Sequence, residues 1–144
     1  MRSWQLVRSG VMALVMVMAL GSAAEAQDLT EESYGPTMGE VRLLVGDVSQ
    51  YIDNRYWPEL GETLDKLFPM FRQIEAFWQG RGNDSALAIA GESIAALQEL
   101  GRAGIDMNVG AAQTGLGNLR ATCGKCHEAH REPDGDGFRI KAGS

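Results

Sequence analysis

The sequence predicts an all-α protein, an antiparallel up-down-up-down four-helix bundle. Three observations carry that expectation. Apolar residues recur at alternating steps of three and four from Met38 to His130, the mark of helices with one face turned to a core. Clusters of Gly, Pro, Asn and Asp cut this pattern into four segments with short links. Period-two alternation, the signal of strands, is nearly absent.

The first segment carries Met38, Val41, Val45, Val48 and Ile52. Thr37 is the expected cap, with Glu40 three residues on completing a capping box. Asp53-Asn54 and then Trp57-Pro58 end it. The second carries Leu60, Leu64, Leu67, Phe71, Ile74 and Trp78. Pro69 interrupts it, but the pattern resumes in phase, which predicts one bent helix rather than two short ones. The link is Gly80-Arg81-Gly82-Asn83-Asp84.

The third segment carries Leu87, Ala90, Ile94, Leu97 and Leu100, with Asp84 or Ser85 as cap, and fades at Gly101 and Gly104. The fourth carries Val109, Ala112, Leu116, Leu119, Cys123, Cys126 and His130, and stops at Glu132-Pro133. Asp134-Gly135-Asp136-Gly137 reads as a turn before Phe138-Arg139-Ile140. It lacks the further ligands of a calcium loop. Gly110, Gly115 and Gly117 each cost the fourth helix about 1 kcal/mol of propensity. Close helix packing and room for a flat, bulky group are both open as explanations.

Composition removes several function classes. Against 13 Lys and Arg stand 19 Asp and Glu, a net charge of −6, so the cationic surface that nucleic acids need is missing. A hydrophobic share of 44% excludes a disordered tail. Two cysteines are too few for a disulfide-stapled miniprotein. No repeat of solenoid length is present.

Residues 1–26 read as a cleaved secretory signal peptide. Arg2 and Arg8 precede an apolar run from Val11 to Leu20, and Ala24-Glu25-Ala26 supplies small residues before the cut. A run of ten rises about 15 Å as a helix, half a bilayer core, so a membrane anchor fits poorly. The expected product, residues 27–144, is exported and free of the membrane, with 11 basic and 18 acidic residues.

The chemistry concentrates in Cys123-Gly124-Lys125-Cys126-His127. Cys-x-x-Cys-His is the attachment sequence of covalent haem. Thiols three apart share a helical face and can add to two vinyl groups of one porphyrin. His127, one turn beyond Cys123, reaches the iron from that side as proximal ligand. A structural zinc site would need both cysteines and both histidines, His127 and His130, from one short stretch. A thioredoxin-like dithiol wants its first cysteine at a helix N-terminus, the opposite of this placement. A disulfide between helical positions i and i+3 is strained.

With that motif at the end of the last of four amphipathic segments and Arg131 four residues past the histidine, the chain resembles the class II c-type cytochromes, cytochrome c-prime and its low-spin relatives. His127-Glu128-Ala129-His130-Arg131-Glu132 and Asp136-Gly137-Phe138-Arg139-Ile140-Lys141 resemble one subgroup. The motif match covers residues 119–141, while the architecture covers residues 27–144. The resemblance implies one haem c with its iron, a periplasmic location, and electron shuttling rather than enzymatic turnover. Its alternative is a five-coordinate haem binding nitric oxide or carbon monoxide. It also implies Arg131 as a propionate or proximal contact, and leaves a homodimer through the first two helices open. Relatives often carry a basic residue four positions before the distal one. If Met38 is distal, that position is Tyr34 here, and Arg42 lies one turn after Met38 instead.

A sixth iron ligand would make a closed electron carrier, and a vacant face would admit gases. Met38, Met70, Met107 and His130 are the candidates. His130 shares a helix with His127 and cannot reach the opposite face. Met107 lies about 30 Å along the helix from His127, and Met70 about 12 Å from the haem level. Met38 starts the first segment at the right level and is the candidate sixth ligand. The competing account makes it an ordinary first core residue. Phe77 and Trp78 are candidate pocket walls. Arg42, Arg120, Lys125 and Arg131 are candidate partners for propionates. No acid or second base stands ready for peroxidase chemistry. Residues 120–144 hold net charge +1 and residues 27–119 hold −8, so an unidentified redox partner protein is expected to dock at the haem end.

Overall fold

The computed structural model describes residues 28–144. The expected signal peptide, residues 1–26, lies outside the described residues. Four helices dominate: α1 (Glu31–Asn54), α2 (Trp57–Arg81), α3 (Asp84–Ile105) and α4 (Val109–His130). A hairpin of β1 (Arg131–Asp134) and β2 (Gly137–Ile140) follows. Links of two and three residues join long helices that touch in a ring, α1 to α2 to α3 to α4 and back to α1. Such short links turn successive helices antiparallel, which makes the fold a four-helix bundle. The seam between α1 and α4 is the loosest of the four.

The 3-4 stripes are the core. Val41, Val45, Val48 and Ile52 of α1 are buried, as is every apolar stripe residue of α2 from Leu60 to Trp78. Leu97 and Leu100 of α3 meet Leu119 of α4 in the same fully buried centre. α2 runs unbroken past Pro69. One polar contact crosses from α3 to α4: the Ser93 and Thr122 hydroxyls meet at 2.7 Å, and Thr122 donates to the Leu119 carbonyl.

Helix ends differ from the expected ones. α1 begins at Glu31, with Thr30 as cap and Ser33 returning the bond, not at the Thr37–Glu40 box. The extra turns are held because Tyr34 finds aromatic partners on α2, which outweighs the bond that Pro36 cannot make. Asn83, rather than Asp84 or Ser85, caps α3 by accepting from the Ala86 N–H. Gly82 closes α2 with φ +67, where glycine is unstrained. α3 continues through Gly101 and Gly104 to Ile105.

The glycines of α4 separate. A Cβ on Gly115 would sit 3.2 Å from the backbone nitrogen of Leu100, so this glycine lets α3 and α4 approach closely. A Cβ on Gly117 would meet nothing within 4 Å.

The turn expected at Asp134-Gly135-Asp136-Gly137 is present, as the tip of a hairpin whose two strands were not expected. Gly135, at φ +57, opens its two-residue loop. Polar pairing holds it: Arg139 bonds Glu132 across the strands at 2.7 Å, and the Arg131 guanidinium lies 3.9 Å from the Phe138 ring centre. Pairs of this kind carry no apolar alternation, which is why the strand pattern was absent from the sequence.

Candidate cofactor site

α4 ends beside the beginning of α1, and there the bundle holds a cavity of about 950 Å³. That is near the upper end for small-molecule and cofactor pockets. All four helices and β2 contribute to its wall. The hairpin adds Arg131, Phe138, Arg139 and Ile140 to that wall.

Cys123, Cys126 and His127 all line this cavity. Steps of three and four residues along α4 place them on adjoining parts of one face. Both cysteines are free thiols, half-sheltered from solvent. Burial pushes both thiols up. For Cys123, its own backbone and the Arg120 guanidinium oppose that rise. For Cys126, the neighbouring Cys123 adds to it. Burial, reinforced by the Arg131 charge, lowers the basicity of His127. The imidazole is therefore held toward its neutral form, the form that ligates a metal.

Met38 reaches the same cavity from α1, so the structure brings the candidate sixth ligand and the proximal candidate to one space. Met70 is partly buried against the core and does not line the cavity. Met107 is exposed in the link before α4, at the far end of the bundle. His130 borders the cavity, but both its ring nitrogens are engaged: Nε2 lies 3.3 Å from Ser85 Oγ and Nδ1 3.2 Å from Ser144 Oγ. Its ring packs on Trp78.

Arg42, Arg120 and Arg131 line the cavity. Lys125 does not, and its ammonium pairs with Glu92 at 2.8 Å. Trp78 is a wall residue, as expected, while Phe77 packs behind Tyr34. Among the wall residues that escaped the sequence reading are Tyr34, Phe138 and Ile140. Tyr34 accepts a hydrogen bond of 2.8 Å from the Trp78 indole. Burial pushes its phenol well up, against the lowering effect of that bond. Its position was visible in principle, because it lies one helical step of four before Met38 and continues the α1 stripe. Phe138 and Ile140 gave no such signal, since they depend on the hairpin.

Among the described residues, no three His, Cys, Asp or Glu side chains gather into a metal-binding group. His130, tied to Ser85 and Ser144, is not free to complete a zinc tetrahedron with Cys123, Cys126 and His127. A porphyrin brings four nitrogens of its own and asks the protein for only one or two ligands. The donor set, two thiols and one imidazole on an apolar cavity, therefore fits haem better than a bare ion.

No family model, curated protein or solved structure matches the chain. Among the described residues, no helix is long and apolar enough to cross a membrane.

Proposed function

We propose that this chain is an exported c-type cytochrome of the class II kind, carrying one covalent haem and passing electrons to a protein partner. The observation that supports it most is the convergence of Cys123, Cys126 and His127 on one cavity of about 950 Å³.

The chain's residues divide the work. Cys123 and Cys126 would hold the group, each thiol adding across one vinyl group so that a sulfur–carbon bond would form and the thiol proton would pass to the neighbouring carbon. No oxidant or reductant is consumed. His127, held toward its neutral form, would supply the imidazole that ligates the iron. When bound, haem supplies a one-electron iron couple. The apolar residues of α1, α2 and α3 that line the cavity would exclude water around that couple, and Met38, on the same wall, would supply a second ligand. Arg131, beside His127 and stacked on Phe138, acts as a proximal contact.

The test is chemical. The protein is exported with a cytochrome maturation system, then boiled, denatured and stained for haem. Stain should survive in the wild type and vanish in Cys123→Ala/Cys126→Ala. Retention in the double variant, or no stain in the wild type, defeats the proposal. Ferric and ferrous absorption spectra then test the sixth ligand. A low-spin spectrum with a methionine–iron charge-transfer band, lost in Met38→Ala, supports the carrier. A high-spin spectrum with rapid carbon monoxide binding, unchanged in Met38→Ala, rejects the ligand and leaves gas binding as the function.

A further inference from the structure

His130 ends α4 and is 8% exposed. Its two ring nitrogens meet hydroxyls from two distant parts of the chain. Nε2 lies 3.3 Å from Oγ of Ser85, in the first turn of α3. Nδ1 lies 3.2 Å from Oγ of Ser144. Electron transfer gives this arrangement no part.

The imidazole is fixed at several points. Its ring packs on Trp78, with centroids 5.4 Å apart. Ser144 is itself held, because its N–H donates to the Lys141 carbonyl at 3.0 Å and its backbone oxygen accepts from Arg81 at 3.3 Å. Lys141 in turn donates to the His130 carbonyl at 2.9 Å. With Nδ1–H donating to the Ser144 hydroxyl, Nε2 is the basic nitrogen, and it faces Ser85. Ser85 is exposed and stands outside the cavity wall. A serine hydroxyl becomes nucleophilic when an adjacent base takes its proton and a third group orients that base. Ser85, His130 and Ser144 stand in that order.

The start of α3 supplies donors beside the hydroxyl. Asn83 accepts from the Ala86 N–H, so that donor is used. The N–H groups of Asp84 and Ser85 precede the first helical bond and have no helical partner. Donors of this kind, the nucleophile's own N–H among them, stabilise the oxyanion of acyl transfer.

We propose that Ser85 is a nucleophile for hydrolysis of short-chain esters, with His130 as its general base and Ser144 as a positioning residue. This site is independent of the haem reading. Ser85 Oγ attacks the ester carbonyl while its proton passes to His130 Nε2. The bond from the carbonyl carbon to the alcohol oxygen then breaks. His130 returns the proton to the departing alkoxide, leaving acyl-Ser85. Water repeats the sequence with His130 as base and releases the acid and free Ser85. No electrons are gained or lost. The exposed setting of Ser85 suits an unhindered ester with a short acyl chain.

A fluorophosphonate probe tests this on the exported protein, because an activated serine oxygen displaces fluoride from phosphorus. Digestion and mass spectrometry should place the label on Ser85, with Ser33 and Ser49 unlabelled in the same digest. Heat-denatured protein should take no label. Hydrolysis of p-nitrophenyl acetate by Ser85→Ala should fall to the rate of denatured wild type. Ser144→Ala should slow labelling about tenfold, since a misplaced base loses rate steeply, and Ser144→Thr should restore it. Label spread over several serines, label that survives denaturation, or Ser144→Ala reacting like wild type overturns the assignment.

Discussion

Tyr34→Phe isolates one hydrogen bond in the cavity wall. Phenylalanine keeps the ring that lies 4.7 Å from Phe77 and 5.7 Å from Trp78, and removes only the oxygen. Trp78 is 1% exposed, and its indole N–H donates to that oxygen at 2.8 Å. Without it, a buried donor has no partner, which costs about 1–3 kcal/mol. For a domain of this size that lowers Tm by roughly 4–12 °C. The same hydroxyl sets a pH dependence. Burial raises the Tyr34 pKa in the folded state, so the unfolded phenol, with its ordinary value of about 10, ionises first. The unfolded state then binds fewer protons than the native one, and stability falls as pH rises past about 10. Urea melts followed by far-UV circular dichroism at pH 7 and pH 11 read both effects. The variant should be weaker at pH 7, and the gap to wild type should narrow at pH 11. Equal midpoints at pH 7, or a gap that stays constant with pH, would refute the reasoning.

Three further outcomes follow from backbone and packing. Gly115→Ala sets a methyl 3.1 Å from Leu100 Cγ and 3.2 Å from its backbone nitrogen. Overpacking of about 1–3 kcal/mol exceeds the helix-propensity gain of about 1, so its thermal midpoint should fall. Gly117→Ala meets open space, so the propensity gain of about 1 kcal/mol should raise the midpoint. Arg55 closes α1 at φ +59, a conformation that disfavours side chains; Arg55→Gly should stabilise by about 0.5 kcal/mol in urea titration.

The parts of this protein written in local periodicity were legible in its sequence. Four helices, their buried faces and the continuity of α2 across Pro69 all follow from apolar spacing. That Cys123, Cys126 and His127 share one cavity wall was legible for a different reason: steps of three and four put residues on one face of a helix. Helix starts were less legible because caps compete. Thr37–Glu40 and Thr30–Ser33 both satisfy local capping chemistry, and the choice was made by Tyr34 reaching aromatic rings 43 and 44 positions later.

The hairpin extends the same argument to the cavity's closing wall. Its strands are four residues each, held by a Glu132–Arg139 ion pair and by Arg131 on Phe138. Exposed pairs of this sort are individually worth little. The hairpin has a second support, because it packs on α4 and its β2 strand also meets α1. Ile140 is partly buried against the core and faces the cavity with Phe138. The segment is therefore ordered by what it covers, and its strand character follows from that cover rather than from its own sequence. The wall opposite Cys123, Cys126 and His127 is in the same position. Met38, Tyr34 and Arg42 line the cavity only because α1 lies beside the end of α4, a juxtaposition set by three short links and no local code. The motif can be read from five residues, but its surroundings are a property of the packed bundle.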